Sequence, residues 1–334
     1  MSEVVGIAVL LWVVVTLYAV LAGADFGAGM WDLLAGGAER GARPRAFIDR
    51  VLTPVWEANH VWLIFMLVVT WTAFPQAFAA ITSTLFVPLS LAALGVVLRG
   101  AGFAFRHIVR GTPGQRAMGA TFAGASVLTP FFMGTVVGAI ATGGVPPEGG
   151  GDQVTSWLNL PSVAIGALMV ATCAYIAAVF LVSEARKAGD PEMQGYFRAR
   201  ALAAAALAGG LAALDLVLMS SASPQLYADL TGQALPLVII SAALGLGAII
   251  QVLRGGGWAR TLAVGAVTAV IWGWGVAQAP DILPGTLTFD QAAASSSTLI
   301  TLFVVFGAAV LLVAPSLALL FSLQQRELLG EDDH

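Results

Sequence analysis

The chain has 334 residues, 58% of them hydrophobic and only 10% charged, with a formal net charge of −4. Soluble domains carry about 25% charged residues, so the composition excludes an ordinary soluble enzyme. The acidic balance also argues against a nucleic-acid partner, which calls for a basic surface. Cys173 is the single cysteine, so no disulfide framework can form.

The apolar runs are long and continuous rather than alternating, which predicts helices and not a barrel. The opening "MSEVVGIAVL" has no Lys or Arg, so the first apolar segment is expected to be retained rather than cleaved. In chain order, nine spans are predicted at roughly 4–24, 54–73, 77–99, 116–141, 160–183, 200–221, 235–253, 259–278 and 298–323. The basic residues test that count. Arg40, Arg43, Arg45 and Arg50 follow span one. Arg99, Arg106, Arg110 and Arg116 follow span three. Arg186, Lys187, Arg198 and Arg200 follow span five, Arg254 and Arg260 follow span seven, and Arg326 follows span nine. The intervening connections hold only acids: Glu148 and Asp152, Asp229, and Asp281 with Asp290. Every cation then lies on one side, which the positive-inside rule makes cytoplasmic. The expectation is an all-α integral membrane protein with its N-terminus outside and its C-terminus cytoplasmic.

The connections alternate in a way that suggests a parallel repeat. A first four-helix unit would occupy about 1–141, a second about 160–278, and a peripheral ninth helix about 298–323. The whole chain, 1–334, is then one membrane domain.

Ionisable residues within such spans are the candidates for function. Asp25 lies in "LAGADFGAGMWDLL", flanked by Gly23, Ala24, Gly27 and Ala28. Small residues let helices approach closely. Asp25 would sit at the cytoplasmic mouth of a proton path, or cap the next turn. Asp32 is expected to be solvated. The stretch "TPVWEANHVWLIF" places Thr53 as an N-cap and Pro54 as the first helical residue. Glu57 would then lie one turn into span two, either stabilised by the helix dipole or carrying protons. His60, three residues on, shares a face with Glu57 and would complete a relay, ligate a haem, or simply pack. Asn59 is expected to bond an adjacent helix, since a buried amide needs partners. Arg99 ends span three and would pair with Asp25 or Glu57. Asp215 is expected to reach towards the outer surface. Cys173 reads as a small buried hydrophobe, and the scattered methionines Met66, Met133, Met169 and Met219 as packing. Trp71 and Trp157 would join an outer aromatic belt, and Trp31 and Trp258 an inner one. No phosphate loop, Cys–His cluster or CxxCH stands in the sequence.

Four segments in order resemble subunit II of cytochrome bd-type quinol oxidases. "GADFGAGMWDLL" is similar to the family's GxDxGxG segment. "TPVWEANHVWLIFMLVVTWTAFPQAFAAI" resembles its P-x-W-[DE]-x-N-x-V-W-L segment with the following FP. "LRGAGFAFR" is similar to its arginine-rich end of helix three, and "WGWGVAQAPDILPGTLTFDQAAASSSTL" to the segment before the last helix. The resemblance implies a heterodimer in the prokaryotic cytoplasmic membrane. Subunit I would carry two b-type haems, one d-type haem and the quinol site. The complex would oxidise quinol and reduce O2 to water, building a proton gradient without pumping. This chain would bind no haem or metal and hold no directly catalytic residue, while leaving room for a structural quinone and small accessory subunits. On this resemblance Asp25, Glu57 and His60 would form a cytoplasmic proton path, with Trp56, Asn59 and Arg99 supporting it. Two positions depart from the family pattern: Ala104 and Ala22 stand where acids are usual. The competing reading is a proton-coupled transporter or channel, against which stands the lack of an inverted repeat.

Overall fold

The computed structural model describes residues 2–37, 39–106 and 112–325; the side chains of 52–58, 60, 103–106, 112–117 and most beyond 312 lie outside the described residues. The described residues are mostly helical. Two long helices, α1 (Glu3–Leu33) and α2 (Ala42–Ala73), are followed by a short α3 (Pro75–Thr84), then α4 (Phe86–Arg106) and α5 (Thr112–Ala141). After an irregular connection come α6 (Leu160–Lys187), α7 (Pro191–Ala222), a short α8 (Pro224–Thr231), α9 (Leu235–Arg254) and α10 (Ala259–Gln278). A small antiparallel hairpin, β1 (Asp281–Leu283) with β2 (Leu287–Thr288), leads through α11 (Phe289–Ala292) into α12 (Ser296–Gln325).

Local sequence sets the helix ends. Asn159 accepts from Ser162 N at the start of α6, and Asp190 accepts from Met193 N at the start of α7. Each satisfies an N–H that has no partner within its own helix. Arg186 and Lys187 sit in the last turn of α6, where the helix dipole favours cations. Gly255 ends α9 in the left-handed conformation, φ +69°, which costs glycine little.

Among the described residues, six stretches are long and apolar enough to cross a membrane: α1, Met118–Ala141 of α5, α6, α7, α9 and α10. Val61–Ala73 and Pro75–Thr84 would make a seventh if taken as one span bent by 115°. Phe86–Gly102 and Ser296–Leu312 are shorter apolar helices. The chain is therefore a multi-pass membrane protein.

Several boundaries differ from expectation, α1 running on to Leu33 and α7 starting at Pro191 among them. The predicted third span, starting near 77, is divided at Leu85 into α3 and α4. Pro75 restarts the helix at a sharp angle. The connection between α5 and α6 then holds α3 in place, with Gly150 N and Gly151 N donating to Ser83 Oγ and Thr84 Oγ1. Helix α2 begins at Ala42, so Thr53 and Pro54 fall inside it and do not start it.

The core sits where α6 meets α1, α5, α7 and α10, and α6 is the most buried helix. Close approach there depends on glycine. A Cβ on Gly27 would lie 2.0 Å from Cys173 O, and one on Gly138 2.5 Å from Ser162 Cα. Neither helix pair could come as near with a larger residue. Helix α4 packs on α5, α9 on α10, and α12 on α1 and α2.

Candidate functional site

The extension of α1 to Leu33 puts Asp25 well inside the helix and not at its end. Its carboxylate therefore points between helices, which removes the capping alternative. Arg99 of α4 reaches it across the interior: Nη2 donates to Asp25 Oδ1 at 2.5 Å and to the Asp25 carbonyl at 2.8 Å. Arg99 Nη1 donates to Ser126 Oγ of α5, which donates in turn to the Phe122 carbonyl at 2.7 Å. The guanidinium lies between two aromatic rings, 4.2 Å from the Phe122 centroid and 5.1 Å from that of Phe26. Both rings present a negative face to the cation. From α2, Asn59 Nδ2 approaches Asp25 Oδ2 at 3.5 Å. Asp25, Asn59 and Arg99 are all at most 3% exposed.

Glycine again makes the geometry feasible. A Cβ on Gly29 would fall 2.1 Å from Ser126 Oγ and 2.7 Å from Arg99 Nη1, so only glycine leaves room for the arginine head. Tyr18, two turns before Asp25, donates its hydroxyl to Met133 Sδ at 3.4 Å. Tyr18, Ala22, Phe26 and Cys173 form a compact apolar group, with Trp62, Leu63, Met66 and Met133 packed on it. Ala22 thus belongs to apolar packing beside the acid.

The other candidates fall as follows. Asn59 and Arg99 join Asp25, as the sequence suggests. Trp56, Glu57 and His60 lie on α2, and their side chains are outside the described residues, as is that of Ala104. Asp32 is buried and not solvated, with Arg45 Nε, from the first turn of α2, 3.3 Å from its Oδ1. Asp215 does not reach the surface: it is buried, and neither carboxylate oxygen has a hydrogen-bond partner among the described residues. Trp31 and Trp157 are core residues and not belt residues. Trp31 Nε1 donates to the Ala174 carbonyl, and the Trp157 ring meets Phe132. Trp71 and Trp258 are exposed. Ser126 was not legible as a site residue, because a lone serine in an apolar helix carries no distinguishing signal. Among the described residues no three His, Cys, Asp or Glu side chains gather as a metal site would require.

A buried carboxylate countered by a guanidinium, with an amide beside it, is thus held between long apolar helices. The family profile described as "Cytochrome bd terminal oxidase subunit II" matches residues 4–324. The chain belongs to that family. It is similar to the structure of bd oxidase from Geobacillus thermodenitrificans, with a TM-score of 0.80 and 27% identity over 99% of each chain. Two curated Bacillus subtilis (strain 168) proteins match parts of it. A putative cytochrome bd menaquinol oxidase subunit II is 29% identical over 101 residues, 30% of this chain. A cytochrome bd ubiquinol oxidase subunit 2 is 26% identical over 156 residues, 46% of this chain. The matched stretches span 29% and 45% of those relatives' own lengths.

Proposed function

We propose that this chain is the haem-free supporting subunit of a quinol oxidase, and that Asp25 takes part in bringing cytoplasmic protons to the partner's oxygen site. The partner subunit I would carry two b-type haems and one d-type haem, and these would pass electrons from quinol to O2. Reduction of O2 to water consumes four protons, and hydrocarbon supplies none. The path must therefore run through titratable and hydrogen-bonding groups inside protein. The Arg99–Asp25 bond with Asn59 beside it is the observation that carries this reading.

The chemistry follows from charge. With Asp25 ionised the Asp25–Arg99 pair is neutral, and burying it is tolerable only because the charges are paired and hydrogen-bonded. A proton arriving at Asp25 leaves Arg99 without its counter-ion. The pair then gains by passing the proton on. Asn59 holds the second carboxylate oxygen in place, and the Phe26 and Phe122 rings keep the guanidinium from swinging away. Glu57 and His60 on α2, with Trp56, would complete the cytoplasmic entry.

Nine crossings fit this role: the six long helices, the Val61–Ala73 part of α2, Phe86–Gly102 of α4 and Ser296–Leu312 of α12. With nine crossings, the alternation of the basic connections would put the N-terminus outside. The helix pairings support a repeat of 1–141 in 160–278: α1 with α2 and α5, and α4 with α5, correspond to α6 with α7 and α10, and α9 with α10. The helix at 298–323 would then be the ninth.

Purification of the tagged chain from native membranes in mild detergent tests membership of the oxidase. The expected product contains a second membrane protein and shows a d-type haem band in its reduced-minus-oxidised spectrum. A colourless product without a partner contradicts the proposal. Unchanged oxygen consumption in both Asp25→Asn and Glu57→Gln complexes contradicts the proton path.

A further inference from the structure

Three polar atoms near the ion pair have no hydrogen-bond partner among the described residues: Asn59 Oδ1, Arg99 Nε and Thr129 Oγ1. Each belongs to a residue at most 2% exposed. Buried polar groups nearly always find a partner, in protein or in ordered water.

Thr129 is the unusual one. A threonine in a helix normally returns its hydroxyl proton to a carbonyl of the preceding turn. Thr16, Thr70, Thr82, Thr142 and Thr231 all do so here, with bonds of 2.7–2.8 Å to the residue four positions back. Thr129 makes no such bond. Its hydroxyl is turned instead against α4, where a Cβ on Gly95 would lie only 2.2 Å from Thr129 Oγ1. The seam between α4 and α5 therefore has two successive rungs. Arg99 meets Ser126 on one, and Gly95 meets Thr129 on the next, one helical turn further from the cytoplasmic end. Arg99 Nε–H, a donor, and the Thr129 hydroxyl, both donor and acceptor, are the unpartnered groups of this seam.

We infer that the seam binds internal water, that Thr129 is its positioning residue, and that this water accepts from Arg99 Nε–H and carries the hydrogen-bonded group of Asp25 one turn towards the membrane middle. The water site rests on the two buried, unpartnered atoms of the seam, Arg99 Nε and Thr129 Oγ1. Its part in proton movement rests on the function proposed above. Water needs two or more polar partners to stay ordered in a protein interior, and at this seam Thr129 is the one whose removal leaves the ion pair intact.

The test uses the assembled complex carrying Thr129→Val, which keeps the side-chain shape but removes the hydroxyl, and Thr129→Ser, which restores the hydroxyl. High-resolution cryo-EM maps are expected to show water between Thr129 and Arg99 in the native and Thr129→Ser complexes, and to lose it in Thr129→Val. Oxygen consumption is expected to fall about fivefold in Thr129→Val, the effect of one hydrogen bond. Its solvent deuterium effect should rise, and Thr129→Ser should recover both. A native map without that water, or a Thr129→Val map that keeps it, overturns the inference. Loss of the water with rate and isotope effect unchanged upholds the water site and counts against the proton path.

Discussion

Asp25 and Asp215 are both aspartates buried in long apolar helices, in the first and second halves of the chain. Asp25 has a guanidinium on one oxygen, an amide near the other, and two aromatic rings holding its counter-ion. Asp215, on α7, has no hydrogen-bond partner on either oxygen among the described residues. The same side chain at similar burial is thus built into a network at one place and left without one at the other. Burial alone does not make a site. The difference lies in what the surrounding helices bring within reach: Gly29 admits Arg99, and Ser126 anchors it.

The comparison can be broken most sharply by Arg99→Met. It leaves the Asp25 charge buried and uncompensated, an effect of about 3–5 kcal/mol. The expected outcome is failure to assemble or a large drop in the melting temperature of the purified complex. Next is Gly27→Val, which pushes α1 off the Cys173 carbonyl. Overpacking of this kind costs about 1–3 kcal/mol, and thermal unfolding should show it without any change of charge. Asp215→Leu is the opposite case. It removes a buried carboxyl that has no partner to lose, so stability should be unchanged or rise by about 1 kcal/mol. A drop comparable to that of Arg99→Met would mean that Asp215 belongs to a network after all.

The smallest effect is expected at the exposed surface beside the start of α2. There Arg43 bonds both Asp190 and Glu192, tying the start of α2 to the start of α7. The Met193 N–H, together with Arg43, holds the Asp190 carboxyl below its usual range. A carboxyl depressed in the folded state stabilises it above the unfolded pKa of about 3.9 and loses that contribution as pH falls through the folded value. Asp190→Ala should therefore lower the melting temperature slightly at neutral pH, and the gap to the native protein should close in acid below about pH 4.

Much of this was legible in the sequence because charge in an apolar chain is scarce. Placing fifteen cations on one side already brings Asp25, Asn59 and Arg99 to the same end of the first helices, and the structure joins them. The small residues around Asp25 signalled close packing, and Gly27 provides it, with Gly29 beyond them doing the same. The misread features have physical causes. Thr53 and Pro54 resemble a helix start, but α2 extends back through a polar stretch to Ala42, since a helix need not begin at the membrane edge. Asp32 and Trp31 were assigned to water and interface because only distance along the chain was available. Arg45 and the Ala174 carbonyl, remote in sequence, are what bury them. Ser126 and Thr129 could not be picked out, because hydroxyls in apolar helices usually bond their own backbone and only tertiary packing shows which ones do not.

The central claim is that the Asp25–Arg99 pair handles the protons consumed at the partner's oxygen site. Single-turnover oxygen reduction by the reduced Asp25→Asn complex, followed with a pH-sensitive dye and the haem spectrum together, tests it most directly. The account predicts native haem bands with proton uptake slowed by at least about 10²-fold, the usual contribution of a positioned proton-transfer group. Uptake at the native rate in a complex with native haem bands would contradict it.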